Sequence, residues 1–243
     1  MPVLEVKNLT KEFRYSTGIF LPVISDVSFR IEKNERVGLL GKIGSGKSTI
    51  GLSILRLLEP VSGEIYYNNK RVDNISKKAF RSYRKQFQII FQDSSSSLNP
   101  VYTVDEQLKE LFLFHKLCGR DSVDKHVDNS LSETGLKPEI KTKYPHELST
   151  GEKQRVCIAR ALISNPEFIV LDEITSSLDV VNEKIIIDLL IEIQKKRSIS
   201  YMLITHDIKL ALFFCNRIML INNGKLVEIE DKSEDKISEY FKS

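Results

Sequence analysis

Eight residues, Gly41-Lys42-Ile43-Gly44-Ser45-Gly46-Lys47-Ser48, fit G-x-x-x-x-G-K-[ST], and each fixed position has a task in holding phosphate. Glycines let the backbone turn tightly and bring N–H groups to phosphate oxygens, Lys47 supplies a mobile positive charge, and the Ser48 hydroxyl suits Mg²⁺. Such a loop needs an acidic partner, since a cation between two phosphates has to be held and a water has to be oriented for attack. Phe168-Ile169-Val170-Leu171-Asp172-Glu173 supplies it. The apolar run predicts a buried strand ending at Asp172, which can hold the metal, with Glu173 next in line as general base. A third chemical element is Leu148-Ser149-Thr150-Gly151-Glu152-Lys153-Gln154-Arg155. Ser149 stands where an N-cap should and Glu152 completes a capping box, so the spacing predicts a helix start with free N–H groups, itself a phosphate site.

The elements that must carry these groups are legible around them. Val37-Gly38-Leu39-Leu40 reads as a short buried strand before the loop. After it, Thr49 continues the turn and Ile50, Ile54, Leu57 and Leu58 recur at helical spacing, which puts the anion at a helix N-terminus. Val3 to Leu9 and Val23 to Ile31 alternate as half-buried strands, and Gly63 to Tyr67 and Phe87 to Phe91 are further strand-like runs. Asp93 to Pro100 is a turn-rich linker, and from about Val104 to Leu162 the signals are mainly helical, an inserted lobe. Phe168 to Leu171, the helical Asn182 to Lys196 and the apolar Tyr201 to Ile204 then alternate as in a parallel sheet. Arg217 to Ile221, the turn Asn222-Asn223-Gly224 and Lys225 to Ile229 read as a closing hairpin, and Asp231 to Ser243 as a short charged helix with Ile237, Tyr240 and Phe241 as its apolar stripe.

Composition narrows the classes. With 243 residues, 41 % hydrophobic and 28 % charged, the chain can bury a large core without disulfides. Cys118, Cys157 and Cys215 lie far apart without a C-x-x-C pair, which fits buried thiols in a reducing compartment. The net charge of +3 is spread along the chain, so nucleic acid is not suggested as a partner. The N-terminus has no apolar secretion signal, and no stretch reaches the roughly 18 apolar residues of a spanning helix. Any membrane role therefore comes through a partner.

With its signature-like segment, Leu148 to Arg155, the chain resembles the ATP-binding cassette (ABC) ATPases, whose signature reads L-S-G-G-Q before a helix. The family's other motifs follow in order, from Val3 to Gly224. Gln92 resembles the Q-loop glutamine, Ser177-Leu178-Asp179 the D-loop, His206 the switch histidine, and Phe13 the aromatic that stacks on adenine. The resemblance implies an α/β P-loop NTPase fold of RecA-like type. It would have a parallel sheet, an N-terminal antiparallel β subdomain and a helical lobe: core at 1–92 and 163–229, lobe at about 93–162, tail at 230–243. It implies ATP and Mg²⁺ as ligands, with Ser48, Asp172 and Gln92 near the metal and Gly41 to Thr49 around the phosphates. Glu173, His206, Gln92 and Lys47 would be catalytic, His206 contacting the γ-phosphate. Ser149, Gly151, Glu152 and Asp179 would touch nucleotide across a head-to-tail dimer, because family members sandwich two ATP molecules between two cassettes.

Phe91 to Pro100 resembles the F-Q-D-P-x-S-S-L-N-P run of oligopeptide, dipeptide and nickel importers, although Ser94 replaces the usual proline. The implied assembly is peripheral on the cytoplasmic side of the cell membrane. It would join a second ATPase subunit, transmembrane permeases and, indirectly, an extracytoplasmic substrate-binding protein. Thr150 stands where the signature has its first glycine; its branched side chain restricts the backbone and adds bulk. The composite site that receives this signature is therefore expected to close less well, and the second subunit to be a different ATPase. Other readings keep the same engine: an exporter or lipoprotein-extraction ATPase, or a DNA-linked ATPase, which would carry coiled-coil heptads or a zinc module not found here. A small-molecule kinase would have no use for the signature helix.

Overall fold

The computed structural model describes residues 1–14 and 20–229, together with Ser233, Glu234 and Ile237. In chain order its elements are β1 (Pro2–Arg14), β2 (Phe20–Glu32), β3 (Arg36–Gly41), α1 (Lys47–Ile54), β4 (Ser62–Tyr67), β5 (Lys70–Arg71), α2 (Lys77–Phe80) and β6 (Phe87–Ile90). The helices α3 (Ser94–Ser97), α4 (Val104–Phe114), α5 (Val123–Glu133) and α6 (Thr150–Ile163) follow. The chain then returns to α/β alternation with β7 (Phe168–Asp172), α7 (Val180–Arg197), β8 (Ser200–Thr205), α8 (Ile208–Phe214), β9 (Arg217–Asn222) and β10 (Lys225–Ile229).

Two sheets result. One is antiparallel, ordered β2-β1-β4-β5; the other has six strands ordered β10-β9-β3-β8-β7-β6, in which only β10 runs antiparallel to its neighbour. The central strands β3, β7, β8 and β9 are apolar on both faces, and strand periodicity sorts their residues between two cores. Val37, Leu39, Phe168, Val170, Met202, Ile204, Met219 and Ile221 pack with α1 and the antiparallel sheet. Leu40, Ile169, Leu171, Tyr201, Leu203, Ile218 and Leu220 face α6, α7 and α8, and that core runs on into the lobe through Leu108, Phe112, Val127 and Leu131. A slip of one residue would exchange the two faces, so packing fixes the register of the strand ends that carry the site.

The α/β class, the parallel sheet, the antiparallel subdomain and the helical insertion match the expected fold. Some local expectations need correction. β1 and β2 run well beyond their alternating stretches, to the pair Arg14 and Phe20; those ends are exposed, so no burial pattern marks them. The segment Asp93 to Pro100 is more than a linker: Ser94–Ser97 make a helical turn, with the Ser96 and Ser97 hydroxyls donating to the Asp93 carbonyl at 3.1 and 3.0 Å. Short hydroxyl side chains that fold back on the backbone favour such turns. Cys157 and Cys215 are buried, whereas Cys118 is only half-buried. The charged helix expected at Asp231 to Ser243 lies outside the described residues, Tyr240 and Phe241 included; Ile237 is described and is buried in the second core.

Candidate functional site

β3, β8, β7 and β6 are parallel neighbours, so their carboxyl ends open on one edge of the sheet, where open α/β sheets bind ligands. The glycine-rich loop leaves β3, His206 follows β8, Asp172 closes β7 and Gln92 follows β6. Pairing order thus gathers four segments that are far apart in sequence.

Within the loop, Gly46 has φ of 103°. A Cβ there would lie 2.8 Å from Ile24 Cγ2 and 2.9 Å from the Val23 carbonyl, so β2 braces the turn and only glycine fits. Lys47 is buried, and its Nζ donates to the carbonyls of Gly41 at 2.8 Å and Lys42 at 3.0 Å. α1 begins without a side-chain cap, although Thr103, Ser149, Asp179 and Asp207 cap α4, α6, α7 and α8. Its first N–H groups need acceptors from elsewhere. The Ser45 hydroxyl, buried without a hydrogen-bond partner, is in the same position. Free donors at a helix start, beside a lysine, form an anion cradle.

The acidic side meets this cradle. Ser48 Oγ donates to Asp172 Oδ1 at 3.1 Å. Glu173 has φ of 51°, and its N–H donates to the Ile204 carbonyl at 2.9 Å. This turn carries the Glu173 carboxylate to β8's end, where both of its oxygens lie 3.0 Å from His206 Nδ1. Gln92 Nε2 donates to Ser176 Oγ at 3.2 Å, and that hydroxyl donates to the Glu173 carbonyl at 2.9 Å. Sequence reasoning did not single out Ser176; its only signal was its place between the Asp-Glu pair and the D-loop-like segment. Among the described residues no group of three or more His, Cys, Asp or Glu side chains is placed to hold a metal. The Ser48 hydroxyl and Asp172 carboxylate, 3.1 Å apart, are the hard oxygen donors Mg²⁺ prefers and would hold it, with phosphate or water completing its shell.

Burial pushes the Asp172 carboxyl above the ordinary carboxylate range, against the hydrogen bond from Ser48. Burial likewise lowers Lys47 below the ordinary lysine range, with Glu173 and then Asp172 opposing. Burial disfavours both charges, and a metal and phosphate bound there would relieve both. A raised carboxyl destabilises the fold above its folded pKa and costs nothing below the unfolded value. Asp172→Asn is therefore expected to raise the melting temperature of the nucleotide-free protein near neutral pH, the gain fading as pH falls toward the ordinary carboxylate range. Thermal melts across pH test this; a variant less stable at every pH would refute the burial argument.

At α6 the capping box is present. Ser149 Oγ accepts from the Glu152 N–H at 3.2 Å, and the Glu152 carboxylate accepts from the Ser149 N–H at 2.8 Å, which holds that carboxyl below its usual range. The expected capped helix start is present: the box occupies the Glu152 N–H and leaves those of Thr150 and Gly151 ahead of it. A Cβ on Gly151 would come within 2.7 Å of Asn182 Oδ1. Both Asp179 carboxylate oxygens are taken by Asn182, at 2.9 and 2.6 Å. Among the described residues no hydrogen bond or ion pair joins Ser149, Gly151, Glu152 or Asp179 to residues 41–49. Phe13 is partly exposed, pairs in register with Leu21 and carries the Lys11 amine 5.2 Å from its ring centre. It sits on the hairpin whose β2 strand braces Gly46.

Comparison with known proteins gives one consistent answer. A family profile described as "ABC transporter" matches residues 24–176. The oligopeptide transport ATP-binding protein AppF of Bacillus subtilis is 36 % identical over 239 residues, covering 96 % of this chain and 73 % of that protein. The glutathione import ATP-binding protein GsiA of Pectobacterium atrosepticum is 37 % identical over 239 residues, and this chain spans 38 % of its length. Among solved structures, cbiO1 from Clostridium perfringens, part of the ABC transporter complex cbiONQ, matches with TM-score 0.82 at 30 % identity over 98 % of this chain and 92 % of its own. The cassette MJ0796, in a dimeric post-hydrolysis state bound to ADP and Pi, matches with TM-score 0.82 at 27 % identity over 94 % of this chain and 99 % of its own.

Proposed function

Because the chain belongs to the ABC transporter family and is an ATP-binding, ATP-hydrolysing cassette of it, we propose that its ATP hydrolysis energises import of peptides through separate permease subunits. The peptide and glutathione importers among its relatives support that cargo class. Nickel or another chelated metal stands as a second cargo through the Phe91 to Pro100 run, which peptide and nickel importers share. Among the described residues no helix is long and apolar enough to cross a membrane, so the cassette would sit on the cytoplasmic face, held by the permease.

The observation that carries the mechanism is the meeting of Lys47, Ser48, Asp172, Glu173, His206 and Gln92 at one sheet edge. Lys47 would neutralise β- and γ-phosphate charge. The N–H groups of Gly44 to Thr49 would take the phosphate oxygens, and Phe13 would stack on the base. Ser48, Asp172 and Gln92 would hold Mg²⁺, which when bound supplies charge neutralisation between the phosphates. Glu173 would take a proton from the attacking water, and His206 would align it with the γ-phosphate. Ser149, Gly151, Glu152 and Asp179 would act on the nucleotide of a second cassette, with the core at 1–92 and 163–229 and the lobe at about 93–162 moving as ATP closes the pair. Gln92, at the root of the lobe, would report the γ-phosphate to the permease.

The test is reconstitution with the permease and an extracytoplasmic binding protein. Peptide-loaded binding protein should stimulate ATP hydrolysis and empty binding protein should not; a response to nickel alone would move the cargo to metal. In that complex Thr150→Gly should raise ATPase activity if the second cassette is a different chain and Thr150 hinders closure. Unchanged or lower activity would count against both.

A further inference from the structure

Gln92 lies where β6 gives way to the lobe, and the chain just after it is held firmly. Ser96 and Ser97 donate to the Asp93 carbonyl, and an Arg160 guanidinium nitrogen donates to the Ser97 carbonyl, which ties α3 to α6. The Gln92 side chain, by contrast, is exposed, and among the described residues its hydrogen-bond partner is the Ser176 hydroxyl at 3.2 Å. That hydroxyl is positioned in turn: it donates to the Glu173 carbonyl at 2.9 Å, while the Ser176 N–H donates to the same carbonyl at 3.2 Å. With its hydrogen committed to Glu173, the Ser176 oxygen is an oriented acceptor for an amide.

The geometry points to Ser176 as a positioning residue that parks Gln92 through one hydrogen bond, so that Gln92 must leave Ser176 before it can serve a metal–nucleotide complex. This rests on the proposal that Gln92 approaches Mg²⁺. It adds that the approach has a cost, set by one hydroxyl on the turn that carries the general base. Ser176 therefore opposes binding of the metal complex and leaves metal-free nucleotide unaffected. Ser176→Ala removes the acceptor but keeps the backbone bond to Glu173, so the turn itself is retained.

The experiment titrates the full chain with the non-hydrolysable β,γ-imido analogue of ATP, once with Mg²⁺ and once with EDTA. Ser176→Ala should bind the magnesium complex about 2- to 10-fold more tightly, the range of one hydrogen bond, with affinity in EDTA unchanged. Ser176→Thr, which keeps the hydroxyl, should behave as the native chain. Gln92→Ala alone should weaken only the magnesium complex, and adding Ser176→Ala to it should change nothing. Gln92→Ala without a magnesium-specific effect would remove Gln92 from the metal, and with it the reading beneath this inference. A normal Gln92→Ala effect with no gain from Ser176→Ala, or equal shifts with and without Mg²⁺, would overturn the parking role alone.

Discussion

Glu173→Gln is expected to bind ATP as the native chain does and to lower turnover by about 10²–10⁴-fold, the usual worth of a positioned general base. That is about 3–5 kcal/mol of barrier. The change is nearly isosteric, and the backbone at φ of 51° is equally strained with either residue. An amide oxygen can still meet His206 Nδ1, which lies 3.0 Å from the carboxylate. What is lost is the capacity to take a proton from water. Binding should survive because the contacts assigned to phosphate come from the loop, Lys47 and the uncapped start of α1. Phosphate release measured beside nucleotide affinity separates the two effects. Full turnover in the variant would remove Glu173 from the mechanism.

The parts of the site legible in the sequence are those whose chemistry is local. The loop from Gly41 to Ser48 announces itself because its glycine and lysine spacing has few other uses, and the apolar run before Asp172 fixes both a strand and its end. The capping box at Ser149 and Glu152 was likewise written in residues three apart. What spacing could not give is what depends on strand order. Ser48 meets Asp172 across 124 positions, and nothing short of the pairing β3-β8-β7 places them together. The Gln92 to Ser176 contact spans 84 positions in the same way. The helical turn at Ser94–Ser97 was missed because serines are ambiguous between turn and helix. The exposed ends of β1 and β2 were missed because burial alternation is a signal only where one face is buried.

Lys47→Ala should be the most damaging change to nucleotide binding. The ammonium is buried and wrapped by its own loop, bonded to the Gly41 and Lys42 carbonyls at 2.8 and 3.0 Å, so it approaches phosphate at little further ordering cost. Hydrogen bonds to charged groups are worth about 1.5–3 kcal/mol, which predicts nucleotide binding about 10- to 100-fold weaker, and hydrolysis should be lost. Folding should not suffer in proportion, since burial depresses this amine and disfavours its charge. The distinguishing observable is ligand-induced stabilisation. ATP at 100 times the native Kd adds about 2.7 kcal/mol of stability, but only about 1.4 to 0.4 kcal/mol once Kd is 10- to 100-fold weaker. Thermal melts with and without ATP should therefore show a shift in the variant of at most about half that of the native chain, at similar melting temperatures without ligand. Lys47→Arg should not rescue, because a planar guanidinium fork cannot take the place of a compact ammonium between two carbonyls of one turn. If Lys47→Ala turned over ATP normally, the phosphate cradle would have to lie elsewhere, and the roles assigned to Ser48, Asp172 and the start of α1 would fall with it.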